Sequence, residues 1–165
     1  MNNIKNSLAP INNLPPETLA LVATFLEPGR QLVNATAVCQ HWRATLLSFP
    51  RLWNTICCSN RKQFEAYLKR SKSVPLKVQL GNLGPRRLKS LVPHTSRLAA
   101  LAVQINHSSD FSEIVRHLPN PIPTLHKFTI MSSSDTLEIP PGIGKDYFMY
   151  VKELRLEDID RKSVV

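Results

Sequence analysis

Acids are scarce in this chain: twelve Asp and Glu stand against twenty-one Lys and Arg, a net charge of +9 at neutral pH. Paired-carboxylate acid/base catalysis has no evident seat, because the acids thin out everywhere except near the C-terminus. There Glu153, Glu157, Asp158 and Asp160 read as a solvated cluster. Long apolar runs are missing too. No stretch approaches the roughly 20 apolar residues of a membrane helix, and the first dozen residues, with Lys5 and Pro10, lack the apolar segment of a secretory signal. An intracellular setting, cytoplasmic or nuclear, and no membrane partner are therefore expected. The three cysteines are an odd number and Cys57 and Cys58 are neighbours, so a disulfide framework is excluded and reduced, mostly buried thiols are expected.

The motifs of common chemistry are equally thin. Zinc needs four converging ligands, and Cys39 with His41, Cys57 with Cys58, and the scattered His94, His107, His117 and His126 have the wrong spacing. Gly142-Ile143-Gly144-Lys145 has the end of a phosphate-binding loop, but Asp146 follows and position 139 holds no glycine, so it reads as a proline-glycine turn. Ser132-Ser133-Ser134 lacks the glycines of a nucleophile elbow. No metal, cofactor or catalytic residue is assigned. Asn34-Ala35-Thr36 and Asn106-His107-Ser108 match the glycosylation sequon, which carries meaning only in a secreted chain.

What is present is the composition of a folded protein, with 42% hydrophobic and 20% charged residues over 165 positions, enough for one domain or a small unit packed on a few repeats. The positive excess is local. Arg61, Lys62, Lys69, Arg70, Lys72, Lys77, Arg86, Arg87, Lys89 and Arg97 face the single acid Glu65, while the rest of the chain balances eleven bases with eleven acids. Such a segment suits an acidic partner, with a solvated face as the plainer alternative.

The first structural signal is Asn13-Leu14-Pro15-Pro16-Glu17. Proline costs little in a first helical turn, where its missing N–H would be unpaired, and Glu17 suits the helix dipole. Leu19, Val22, Ala23 and Leu26 follow at helical spacing and predict one apolar stripe, stopped by Glu27-Pro28-Gly29. A second series, Leu32, Ala35, Val38, Cys39, Trp42 and Leu46, runs to Phe49-Pro50. Two or three short helices around a core of about 40 residues are marginal alone. Such a unit gains from a partner surface.

Beyond Asn60 the pattern becomes a repeat. Phe64, Tyr67 and Leu68 predict a connecting helix, and strands are expected over Pro75 to Leu80, Leu98 to Ile105, Leu125 to Ile130, and Val151 to Leu156. Aligning Leu76, Leu101, Phe128 and Leu154 gives steps of 25, 27 and 26 residues, within the leucine-rich-repeat range. Leu88, Leu91 and Val92, then Phe111, Ile114, Val115 and Leu118, predict crossover helices, whereas Ile139 to Gly144 predicts a loop. The Asn or Cys ladder of such repeats is missing, so the array is degenerate. The chain stops at Val165 without a polar capping repeat, which suggests a fragment.

The N-terminal unit resembles an F-box. The anchors are Leu14, Pro15 and Glu17; Phe25 and Leu26; Leu32; Val38, Cys39, Trp42 and Arg43; and Pro50, Leu52 and Trp53, all in order. The resemblance covers about a quarter of the chain. Taken with the repeat, it points to an α+β or α/β solenoid protein: a lead over 1–12, an F-box helical unit over 13–54, a connecting helix over 55–73 and a partial leucine-rich-repeat-like solenoid over 74–165. It further implies a non-enzymatic subunit that binds a Skp-type adaptor and, through it, a cullin/RING ubiquitin ligase. Leu14, Pro15, Leu26, Leu32, Val38 and Trp42 would be adaptor contacts or their supports. The concave strand face would hold a protein substrate, acidic or phosphorylated, near Lys77, Gln79, Ala102, Gln104, Lys127, Thr129, Lys152 and Arg155. A one-residue slip would turn the opposite set outward.

Two other readings compete. A basic helical nucleic-acid binder would use Gln40, His41, Arg43 and Thr45 of the third helix, a thin set of donors. A decoy or structural partner would keep the adaptor contact without delivering substrate.

Overall fold

The computed structural model describes residues 10–57, 60–81, 85–105, 108–119, 121–132 and 149–158. The expectations for the lead before residue 10 and for the 139–144 loop lie outside the described residues. The N-terminal region is helical: α1 (Pro16–Ala23), α2 (Arg30–Ala35) and α3 (Gln40–Ser48). An α/β region with a parallel sheet follows. It comprises β1 (Thr55–Ile56), α4 (Arg61–Arg70), β2 (Leu76–Leu80), α5 (Pro85–Leu91), β3 (Leu98–Ile105), α6 (Ser108–His117), β4 (Lys127–Ser132) and β5 (Glu153–Asp158).

Local chemistry sets the helix ends. Pro16 opens α1 with Glu17 in its first turn. The link to α2 turns at Gly29, whose φ of +102° is closed to most side chains. The Cys39 Sγ accepts from the Trp42 N–H at the start of α3, and the Asn60 Oδ1 accepts from the N–H groups of Lys62 and Gln63 at the start of α4. These caps explain why elements so short begin where they do.

The two regions share one core. Leu32, Ala35, Leu46, Trp53 and Ile56 join Phe64, Tyr67 and Leu68 and run on through the sheet to Phe128 and Ile130. Trp53 is the joint. It is fully buried, its Nε1 donates to the Leu46 carbonyl at 2.9 Å, its ring meets Tyr67 edge to face at 4.9 Å, and the Arg70 guanidinium lies 4.4 Å over it. Tyr67 adds a second tie: its hydroxyl donates to the Gly29 carbonyl at 3.1 Å and accepts from the Gly29 N–H at 3.0 Å. β1 carries the chain straight from the helical region into the sheet.

Among the described residues, the five strands are all parallel and stand in chain order. Leu101, Phe128 and Leu154 are neighbours, as the repeat alignment expects, but Leu101 stands beside Val78 rather than Leu76, and a one-residue bulge interrupts the β2–β3 register after Leu76. Strand alternation splits the sheet into two faces, although Thr129, on the open side by parity, is only 5% exposed. Val78, Leu80, Leu101, Val103, Phe128 and Ile130 are buried with Leu88, Leu91, Ile114 and Leu118 of the crossover segments. The opposite side carries Lys77, Gln79, Ala100, Ala102, Gln104 and Lys127, exposed or half-buried. Parallel sheets usually bury both faces. Among the described residues, nothing covers this one.

Candidate functional site

The first surface is built on α1. Leu19 and Ala23 point into the core, which leaves the other sides of a short, almost wholly apolar helix facing water. Leu21 is 61% exposed on α1, and Phe25 is 84% exposed two residues beyond its end. Val22, Ile11 and Val38 are exposed beside them in sequence or on the neighbouring turns. Val22 therefore departs from the single buried stripe expected for this helix. Scattered exposed aliphatics are ordinary, but a phenylalanine this bare within an apolar set marks a contact surface.

The predicted adaptor residues divide. Pro15 and Val38 are exposed, Leu14 and Trp42 are half-buried, and Leu26 packs on the core from its edge. Leu32, 2% exposed, is an internal support. The Trp42 Nε1 donates to the Asn12 Oδ1 at 2.9 Å, pinning the segment before α1 to α3. Leu21 and Ile11 were not among the expected contacts, and Phe25 entered only as a family anchor. The legible signal was that Leu19 to Leu26 is apolar all round rather than along one stripe. On α3, Gln40, His41 and Arg43 face outward, but Thr45 is buried and drops out of the set for nucleic acid.

The second surface is the open sheet face. Register brings Lys77, Gln79, Gln104 and Lys127 onto it together, with Ala100, Ala102 and Thr129 between them. A depression of about 160 Å³ lies over Lys77, Gln79, Ala100, Ala102, Lys127 and Thr129. At β5 the face continues through Glu153 and Arg155. Lys152 precedes the strand and has the opposite parity, so register does not bring it to this face. Glu153 accepts from the Lys127 ammonium at 3.2 Å and from the Arg155 guanidinium. These hydrogen bonds, Lys127 first, hold its carboxyl below the usual range.

The basic segment is not one patch. Arg70 lies over Trp53, Lys77 stands on the sheet face, and Lys62, Lys69 and Lys89 are exposed on the helices. Arg97 works internally: its guanidinium donates to the Ser71 Oγ, the Val74 carbonyl and the Leu68 carbonyl at 2.9–3.0 Å, closing the end of α4. Of the cysteines, Cys39 is half-buried and Cys57 is exposed, against the expectation of buried thiols. Among the described residues, no three His, Cys, Asp or Glu side chains converge as metal ligands, and no helix is long and apolar enough to cross a membrane.

Comparison with known proteins bears on the first surface. A family model described as F-box-like matches residues 11–59, which span Ile11, α1, α2, α3 and β1. No curated protein and no solved structure matches the chain.

Proposed function

We propose, taking the F-box-like domain at residues 11–59 as the premise, that this chain is a non-catalytic receptor subunit of a ubiquitin ligase. The domain docks on a Skp-type adaptor, the adaptor links it to a cullin and its RING partner, and the α/β region presents a protein substrate for ubiquitination and degradation in the cytoplasm or nucleus. The observation that carries the reading is the apolar set of Leu21, Val22, Phe25 and Val38, left exposed within the domain that the family model matches. A helical unit that leaves such side chains bare gains free energy by laying them into a partner groove. Pro15, Leu14 and Trp42 extend the contact, and Leu26 and Leu32 hold it from behind.

For the substrate half, five parallel strands in chain order support a short leucine-rich-repeat-like solenoid whose open face is the receiving surface. The test uses purified components. The chain is expected to capture a Skp-type adaptor and then cullin and RING subunits, and replacing both Leu14 and Pro15 with alanine should lose capture while the chain stays folded. Retained capture by the folded double variant would overturn the assignment of those two residues. A complex that forms on the adaptor but ubiquitinates no bound client would instead mark a decoy.

A further inference from the structure

The depression on the open sheet face has a definite chemistry. Along β3 the outward positions are Ala100 and Ala102, so the middle strand presents methyl groups where its neighbours present long side chains. Register sets Lys77 beside Ala100 on one side and Lys127 on the other. With adjacent strands about 4.8 Å apart, the two lysine backbones stand about 10 Å apart across the alanine. That spacing leaves a notch floored by a methyl group, with Lys77 on one wall and on the other Lys127, whose ammonium also reaches Glu153 of β5 at 3.2 Å. One step along, Gln79 and the buried Thr129 stand on either side of Ala102, the Gln79 amide reaching across to the Met131 Sδ at 3.9 Å, and Gln104 follows on β3.

The charge leans basic. Lys77, Lys127 and Arg155 stand on this face with Glu153, which Lys127 and Arg155 share, and register sets Glu157 beside Met131 on the same side. No described acid lies within ion-pair distance of Lys77.

We infer that this notch binds the carboxylate side chains of an extended acidic peptide. A Glu or Asp side chain enters between Lys77 and Lys127 onto Ala100. The amides of Gln79 and Gln104, each both donor and acceptor, meet the peptide backbone. Carboxylate suits the site better than phosphate, because phosphate recognition favours clustered arginine forks and this face describes one arginine, which Glu153 engages together with Lys127. The inference rests on the open face being the substrate surface proposed above, and it names the class of substrate.

The test is fluorescence anisotropy of the full chain with a labelled peptide of alternating Glu and Ser at physiological salt, beside its Gln/Ser twin and a phosphoserine peptide. The Glu peptide should bind and the Gln twin should not at the same concentrations. Lys77→Glu reverses one wall, and Ala100→Glu puts a competing carboxylate in the notch. Each should weaken binding by about tenfold or more, as loss and reversal of a close charge pair predict. The milder Lys77→Gln serves where a charge reversal disturbs folding, and should weaken binding by about fivefold. Lys69→Glu, on α4 away from this face, changes the net charge equally and should leave binding within about twofold. Equal binding of the Gln twin, equal loss in Lys69→Glu, or a phosphoserine peptide bound more than tenfold tighter would each overturn the inference. Adaptor capture is read separately. A chain that captures the adaptor and ignores the acidic peptide refutes this inference alone, and the converse refutes the ligase reading alone.

Discussion

Replacing Trp53 tests whether the helical region and the sheet fold as one body. The indole is fully buried between α3, α4 and β1, and truncation to alanine removes its packing, its edge contact with Tyr67 and its hydrogen bond to the Leu46 carbonyl. Tryptophan-to-alanine changes in cores cost about 3–5 kcal/mol. Trp53→Phe keeps most of the ring and isolates the hydrogen bond, leaving the Leu46 carbonyl unpaired at about 1–3 kcal/mol. Against a total stability of about 5–15 kcal/mol, the alanine variant should sit near the edge of folding. The phenylalanine variant should lose about 2–12 °C of melting temperature at about 2–4 °C per kcal/mol. Circular dichroism at 222 nm, which follows all the helices, reads both variants. One cooperative transition that moves as a whole is expected. Two separate transitions, with only the earlier one shifted by Trp53→Ala, would refute the shared core, as would an alanine variant within about 1 kcal/mol of wild type.

The remaining tests concern the Arg97 cluster. Arg97→Met should destabilise by about 2–4 kcal/mol, because the Leu68 and Val74 carbonyls lose a charged donor, and Arg97→Lys should recover less than half of that because an ammonium cannot reproduce the planar fork. Denaturant unfolding measures both. His94 Nδ1 lies 3.3 Å from the same guanidinium and must accept there, since arginine only donates. Burial, with the Arg97 charge adding to it, pushes the His94 pKa down. The folded chain then binds its proton less readily than the unfolded chain does, so this contribution is complete above the unfolded histidine pKa, about 6.5, and is lost as pH falls from there toward the lower folded value. Unfolding between pH 7.5 and 5 should show wild type losing more stability than His94→Gln, and equal pH dependence would contradict the assignment.

Much of this architecture is legible in the sequence because strand alternation is local information. Leu76-Lys77-Val78-Gln79-Leu80 declares its two faces by itself, and parity in the following strands then places Gln104 and Lys127 with Lys77. Three features were hidden. β1 is two residues long, too short for any periodicity, although it joins the regions. The first repeat step is off by two residues, since Val78 rather than Leu76 lies beside Leu101, and neither that offset nor the one-residue bulge after Leu76 can be read from spacing alone. Arg97 looks like one more charge in a basic run, and its internal role depends on a 3₁₀ turn (Val92–Arg97) that carries it back under α4. At the N-terminal surface the family anchors located the domain but not its bare side. Leu21 and Phe25 stand out only once Leu19 and Ala23 are seen to fill the core.

That bare side is the proposed adaptor face. Leu21→Asp with Phe25→Asp alters two exposed side chains, so the double variant should melt within a few degrees of wild type. Isothermal titration of each protein with a purified Skp-type adaptor is the decisive measurement. Binding by the wild-type chain, weakened at least a hundredfold (about 2.7 kcal/mol) in the folded double variant, is the expected result. Equal affinity of the two proteins for the adaptor, or none in the wild type, would contradict it.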